Sequence, residues 1–284
     1  MRYGSVCSGV EAASVAWEPL GFEPVFFSEI EPFPSAVLAH HWPSVPNCGD
    51  MTKFEEWNYE EGSIDVLVGG TPCQSFSVAG LRNGLSDSRG NLALTYCRMV
   101  DRLRPRWFIW ENVPGVLSSG GGRDFGSILG AMAQLGYSFA WRVLDAQNFG
   151  VPQRRRRVFL VGCSSGDWRD PAQVLFEQSC GKRDSETVRK RKLRGRGREI
   201  TGCLSTRSGA FDRQELDTLI YDYQNKTVRV STPTEQERLQ GFPDGHTDIP
   251  WNRDTRHLRY RAMGNSMAVP VMRWIGQRIK EHDQ

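Results

Sequence analysis

Over its first 162 residues the chain alternates between short apolar runs and longer segments with helical spacing. The runs "YGSVC", "PVFFS", "IDVLVGG", "RWFIW", "SFAWRVL" and "RRVFLVG" read as strands, and "EAASVAWEPLG", "FPSAVLAHHW", "LALTYCRMVDRL" and "DFGSILGAMAQLG" read as helices. Repeated strand-then-helix units bury both faces of a sheet, so the expected fold is α/β with a doubly wound, mostly parallel sheet. Ligands of such sheets bind beyond the carboxyl ends of the strands. After Gly162 the pattern gives way to polar and basic sequence until about Val230, and helical signals return in "TPTEQERLQ" and "MAVPVMRWIGQRI". The expected organisation is a main domain of residues 1–162 plus about 252–284, with a small domain of about 163–251 inserted before the C-terminal helix.

A chain of 284 residues with 39% hydrophobic and 24% charged side chains has enough apolar surface for one large or two smaller cores. No apolar run approaches the ~20 residues of a membrane span, and "MRYGSVCSGVEAA" lacks a secretory apolar segment. A cytoplasmic protein without a membrane partner is expected. The seven cysteines are odd in number, widely spaced and free of any C-x-x-C pair, which suggests reduced thiols rather than a disulfide framework or a metal site. One of them, Cys73, follows an apolar run that stops at Gly-Gly-Thr-Pro. A strand ending there presents the next side chain on a tight loop, a position suited to a nucleophile.

The net charge of +3 is unevenly distributed. From Lys182 to Glu199 there are nine Lys or Arg against three acids and almost no apolar residue, a stretch that reads either as a solvated loop or as an arm tracking phosphates. The second cluster, Arg154 to Arg157 in "VPQRRRRVFLVG", enters an apolar strand. Alternation puts Arg155 and Arg157 on one face and Arg154 and Arg156 on the other. Cations feeding a buried strand require partners, which points to function.

The first strand ends in the glycine turn "CSGVEAAS", and Glu29 closes the second strand 20 residues after Gly9, the spacing at which an acid grips a ribose diol. The same pattern is compatible with an ordinary glycine turn and no nucleoside. The turn has one glycine where a phosphate loop wants several, and Glu11 stands where a pyrophosphate would sit, so a bound anion would be repelled. A nucleoside without phosphate and with a cationic group fits better, and S-adenosyl-L-methionine meets both requirements. Asp50 in "NCGDM" is placed either for an adenine amino group or as the N-cap of "TKFEEW".

With these pieces in place the sequence resembles the C5-cytosine DNA methyltransferase family. "CSGVEA", Glu29, Asp50, "PCQSFS" at 72–77, "DSRGNL" at 87–92, "ENV" at 111–113, "QRRRR" at 153–157, "RLQGFPD" at 238–244 and "GNS" at 264–266 follow the family's motifs in order over nearly the whole chain. The match departs in its first motif, where Cys7 replaces an aromatic residue and Glu11 a glycine. The resemblance implies an enzyme that transfers the methyl group of S-adenosyl-L-methionine to C5 of a cytosine swung out of double-stranded DNA, within a methyltransferase-type sheet carrying a small target-recognition domain. It implies that Cys73 is the nucleophile, Glu111 the acid at N3, and Arg155 and Arg157 the cations that raise the thiolate fraction and hold the cytosine O2. The cofactor residues it implies are Cys7, Ser8, Gly9, Glu11, Glu29, Ile30, Asp50, Met51, Pro72, Leu92, Asn265 and Ser266. The DNA contacts are Gln74, Ser77 and Arg89, joined by Arg189, Lys190, Arg191 and Lys192 of the basic run. A monomer without metal is expected.

Three other readings compete. The tRNA branch of the same family shares the catalytic residues, although its usual Cys-Phe-Thr signature is missing. A nucleic-acid-binding protein could keep the fold without the chemistry, which the set Cys73, Glu111, Arg155 and Arg157 disfavours. A cysteine hydrolase would need a positioned histidine, and His40, His41, His246, His257 and His282 show no local catalytic pattern.

Overall fold

The computed structural model describes residues 1–72, 92–177, 201–204, 219–222, 225–252 and 254–283. Six strands form the central sheet: β1 (Arg2–Val6), β2 (Glu23–Ser28), β3 (Val66–Gly69), β4 (Trp107–Asn112), β5 (Ser138–Asp145) and β6 (Arg156–Cys163), in the order β2-β1-β3-β4-β6-β5. The first four pair in parallel, as expected, and β6 alone runs antiparallel to both its neighbours. The reversal has a simple cause. The ten residues between β5 and β6 are too few for a helical crossover, so the chain turns back on itself.

Residues along the central strands alternate between two apolar clusters. Val66, Val68, Trp107, Ile109, Phe159 and Val161 face one cluster, while Leu67, Phe108, Trp110, Val158 and Leu160 face the other. Burial on both faces explains why these strands read as continuous apolar runs rather than as alternating ones. The first face is covered by α1 (Ala12–Trp17), α2 (Pro32–His41), α5 (Arg169–Leu175) and α8 (Val269–His282), and the second by α3 (Leu92–Leu103) and α4 (Arg123–Gln134). Helix α3 coincides with the predicted segment "LALTYCRMVDRL".

Helices α6 (Pro233–Gln240) and α7 (Arg256–Asn265) precede α8, and β7 (Leu219–Asp222) and β8 (Thr227–Val230) form a two-stranded antiparallel pair. Within the stretch 163–251, Val174, Leu175, Leu239, Phe242 and Ile249 join the same cluster as α1. Helix α8 closes against α1: the Trp17 indole donates to the Met272 carbonyl at 2.7 Å. Gly276 permits that approach, since a Cβ there would lie 2.4 Å from the indole nitrogen.

Candidate active site

A cavity of about 850 Å³ opens where the parallel strands end. Its walls are the turns after β1, β2, β3 and β4, the start of β6, and residues 251–267 around α7. The switch in strand direction brings Arg155 and Arg157, at the beginning of β6, to the same edge as the carboxyl ends of the other strands.

At one end the glycine turn holds three left-handed residues, Cys7 (φ 50°), Gly9 (φ 57°) and Glu11 (φ 62°). Its shape is fixed by Glu29, whose carboxylate accepts from the backbone N–H of Gly9, Ile30 and Glu31, each at 2.8 Å. Ile30 is 69% exposed at the rim. Asp50 accepts from the Thr52 backbone N–H at 2.9 Å and hydroxyl at 2.8 Å, so it caps the turn Met51–Glu56 while lining the cavity. The Cys7 thiol lies 3.5 Å from the Met51 sulfur, and burial, with Glu29 and Asp50 adding to it, pushes that thiol up to about 12. Cys7 is therefore a wall residue, not a nucleophile. Glu11 is buried beneath the turn, accepting from the Ser5 hydroxyl at 2.7 Å and the Ser14 backbone N–H at 3.1 Å.

This donor set discriminates between ligands. The Gly9 amide that a phosphate would use is already occupied by a carboxylate. The lining of this end carries Glu11, Glu29, Glu31 and Asp50 with no lysine, and of these acids Glu31 alone is ion-paired among the described residues, with Arg261 at 2.9 Å. Such a site suits a cationic nucleoside better than a pyrophosphate, which fits S-adenosylmethionine; Gly9, Glu29, Ile30, Asp50 and Met51 all line this end. Ser8, Pro72, Leu92, Asn265 and Ser266 also line the cavity.

At the other end Glu111 is the penultimate residue of β4, only 9% exposed, with one carboxylate oxygen 3.1 Å from the Arg157 guanidinium. Burial pushes its carboxyl above the ordinary value, against the opposing pull of Arg157 and Arg155. The loop after β3 is tied to this point: Asn112 donates to the Thr71 carbonyl and Trp110 to the Thr71 hydroxyl, both at 2.9 Å. Gly70 eases the approach, because a Cβ would stand 3.0 Å from both the Glu111 carboxylate and the Met267 methyl.

The four arginines divide as alternation requires, with Arg154 and Arg156 exposed and Arg155 and Arg157 facing inward. The inward pair share the Cys203 sulfur, at 3.5 and 3.9 Å, and otherwise differ in their partners. Arg155, 3% exposed, donates to the carbonyls of Leu204 (3.2 Å), Gly264 (3.0 Å) and Ser266 (2.7 Å), joining residue 204 to the "GNS" end of α7. Arg157 is the guanidinium beside Glu111.

Sequence reasoning missed several contributors. Gln153 is buried and bonds the Leu239 carbonyl (2.9 Å) and the Leu204 N–H (3.2 Å), and Gln240 donates to the Met263 carbonyl (2.7 Å). His246 is stacked on His41 at 4.3 Å and bonds the Val10 carbonyl of the glycine turn at 2.8 Å. Trp251, His257 and Arg261 line the cavity from the C-terminal side, and no local periodicity signals them. Cys73, Gln74, Ser77, Arg89, Arg189, Lys190, Arg191 and Lys192 lie outside the described residues. Among the described residues no group of three or more His, Cys, Asp or Glu could hold a metal, and no helix is long and apolar enough to cross a membrane.

Comparison with known proteins adds independent support. The chain is 35% identical to the "DNA N-6-adenine-methyltransferase" of Escherichia phage P1 over 98% of its own length, and spans 61% of that relative. It is 30% identical to the Type II methyltransferase M.HpaII of Haemophilus parainfluenzae, covering 96% of this chain and 87% of that one. Among solved structures, the Entamoeba histolytica methyltransferase EhMeth superposes with a TM-score of 0.69 at 14% identity, over 100% of this chain and 99% of that one. The S. pombe Dnmt2 methyltransferase gives 0.65 at 18%, over 99% of each chain; at such identities both likenesses bear on the fold alone. A family model described as C-5 cytosine-specific DNA methylase matches residues 1–196 and 181–281, and the chain belongs to that family.

Proposed function

We propose that the protein methylates C5 of a cytosine in double-stranded DNA. The observation that carries this reading is a single cavity with a nucleoside-type end built on Glu29 and Asp50 and a buried acid–guanidinium pair, Glu111 and Arg157, at its other end. One cavity serving both substrates allows direct transfer between them. S-adenosylmethionine, when bound, supplies an electrophilic methyl group. Cytosine C5 is too weak a nucleophile to take it unaided, and the residues of this chain remedy that.

The thiolate of Cys73, the residue after Pro72, adds to C6 of the base while the proton of Glu111 moves to N3. Electron density then rises at C5, which takes the methyl group as its bond to the sulfonium sulfur breaks and S-adenosylhomocysteine leaves. Loss of the C5 proton to solvent breaks the S–C6 bond, returns the thiolate and restores the Glu111 proton from N3. Burial suits Glu111 to this task by favouring its protonated form, and Arg157 holds it in place. The target base must leave the duplex, at a cost of a few kcal/mol. We assign the filling of that gap to Gln74 and Ser77, and backbone contacts to Arg89 and to the run Arg189, Lys190, Arg191 and Lys192. Site recognition is assigned to the insertion between residues 163 and 251.

The test uses labelled S-adenosylmethionine with separate DNA and RNA pools and analysis of the modified base. 5-Methylcytosine in DNA is the expected product; N6-methyladenine, the product named for the phage P1 relative, or label in RNA alone would overturn the reading. On a duplex with 5-fluorocytosine at the site the elimination step has no proton to remove. The wild type should then remain covalently attached, and Cys73→Ser should give neither adduct nor turnover.

A further inference from the structure

Three glutamates are buried among the described residues: Glu11, Glu111 and Glu237. Two of them have an arginine, Arg157 at 3.1 Å from Glu111 and Arg259 at 3.0 Å from Glu237. Glu11, 1% exposed, has none within ion-pair distance among the described residues; its partners are the neutral Ser5 hydroxyl and Ser14 amide. Its backbone is left-handed at φ 62°, a conformation that costs a non-glycine residue on the order of 1 kcal/mol or more and persists only where the surroundings enforce it. The residue also lines the cavity. A buried carboxylate without a cation is expensive. Helix α1, with six residues, offers little dipole to offset that cost.

We propose that Glu11 is the counter-charge for a cationic group of the methyl donor, and that binding of this cation expels a proton from the Glu11 carboxyl into solvent. The inference rests on the reading of this end of the cavity as an S-adenosylmethionine site. Two cationic groups on that molecule carry the required chemistry, the sulfonium and the α-ammonium.

The direction of the effect follows from the surroundings. Burial pushes the Glu11 carboxyl up to about 7, so near neutrality the free protein holds part of a proton there. A cation brought alongside favours the carboxylate, and the proton leaves. The ionisable neighbours are few. Tyr3, from β1, reaches it through Ser14 and is held neutral by burial. Glu18, just after α1, adds negative charge that opposes ionisation. Glu29 meets the turn through the Gly9 amide. His246 meets it through the Val10 carbonyl and is neutral near pH 7, burial having lowered it to about 4. Helix α8 approaches α1 through Met272 and Gly276, neither of which carries charge.

Calorimetry of the full chain in two buffers of different ionisation enthalpy measures the proton directly. With S-adenosylmethionine at pH 6.5, release should be a substantial fraction of one proton, vanishing at pH 9 and in Glu11→Gln. Affinity should rise about tenfold from pH 6 to pH 8 in the wild type, the change expected for one proton titrating near 7. 5′-Methylthioadenosine, which has neither cation, should bind without release. S-adenosylhomocysteine separates the two sources: release with it identifies the α-ammonium, and its absence the sulfonium. The wild-type ligand series stands even if the variant does not fold. Buffer-independent heat for S-adenosylmethionine, or release retained in Glu11→Gln, overturns the proposal while leaving the cofactor reading intact. No binding at all would remove both.

Discussion

The two ends of the cavity handle buried negative charge in different ways. Glu29 is held by three backbone amides, whereas Glu111 is held by a side-chain guanidinium against the penalty of burial. Amides belong to the chain and cannot be withdrawn without refolding the turn, so Glu29 is a fixed acceptor suited to gripping a hydroxyl. The Glu111 carboxyl is set between two opposing influences, burial raising it and the nearby arginines lowering it, so a change in the position of Arg157 shifts the balance. A carboxylate fixed by amides and one set between opposing influences thus occupy one cavity.

Replacing Glu111 tests this contrast most severely. Glu111→Gln should slow methyl transfer by about 10²–10⁴, the usual scale for a general acid, with duplex binding retained. Wild-type single-turnover rates in the variant would erase the distinction between the two ends. The inward arginines provide the next effect. Arg155→Ala strands three buried carbonyls and should lower the melting temperature by roughly 6–12 °C for a loss of about 3 kcal/mol. Arg157→Ala should alter melting less and transfer more; the reverse ranking would exchange their roles.

Glu29→Ala should weaken S-adenosylmethionine binding by about 1.5–3 kcal/mol, the range for a hydrogen bond to a charged group, without affecting duplex binding. Unaltered affinity by calorimetry would remove Glu29 from the site. The smallest effect is on stability and concerns Glu11. Its carboxyl moves from an ordinary 4.5 to about 7 on folding, so between those values the unfolded chain has released a proton that the folded chain retains. The group's contribution to stability therefore declines as pH rises through that window and levels off above it. Glu11→Gln should melt roughly 4–8 °C higher relative to wild type at pH 8 than at pH 5, equivalent to about 2 kcal/mol. A gain independent of pH would show that Glu11 is ionised throughout.

Legibility in the sequence followed the range of the interactions. The strands could be read because burial on both faces makes them continuously apolar, and "LALTYCRMVDRL" because one of its faces is uniformly apolar. The reversed direction of β6 depends on a connection length and was not drawn from the alternation. The polar segment "RHLRYRAMGN" gave no helical signal, and its helix is anchored by tertiary contacts such as Arg259 to Glu237. At Asp50 both readings survive, since the cap uses one carboxylate oxygen within a residue that also faces the cavity. Glu11 was legible as a charge hostile to phosphate, but its burial was not. Arg155 was legible as an inward cation, whereas its carbonyl partners lie 49, 109 and 111 residues away, where no local pattern reaches.

The closure of the last helix on the first has a consequence for biosynthesis. The glycine turn at residue 9 emerges early from the ribosome, yet the cavity wall formed by Gly264 to Met267 is translated about 255 residues later. At ~5–20 residues per second that interval is on the order of 10–50 s, during which the nascent polypeptide has no such wall. Trp17 meanwhile waits for the Met272 carbonyl and lacks its partner. A premature stop anywhere before residue 264 therefore yields a product that lacks this wall of the cavity.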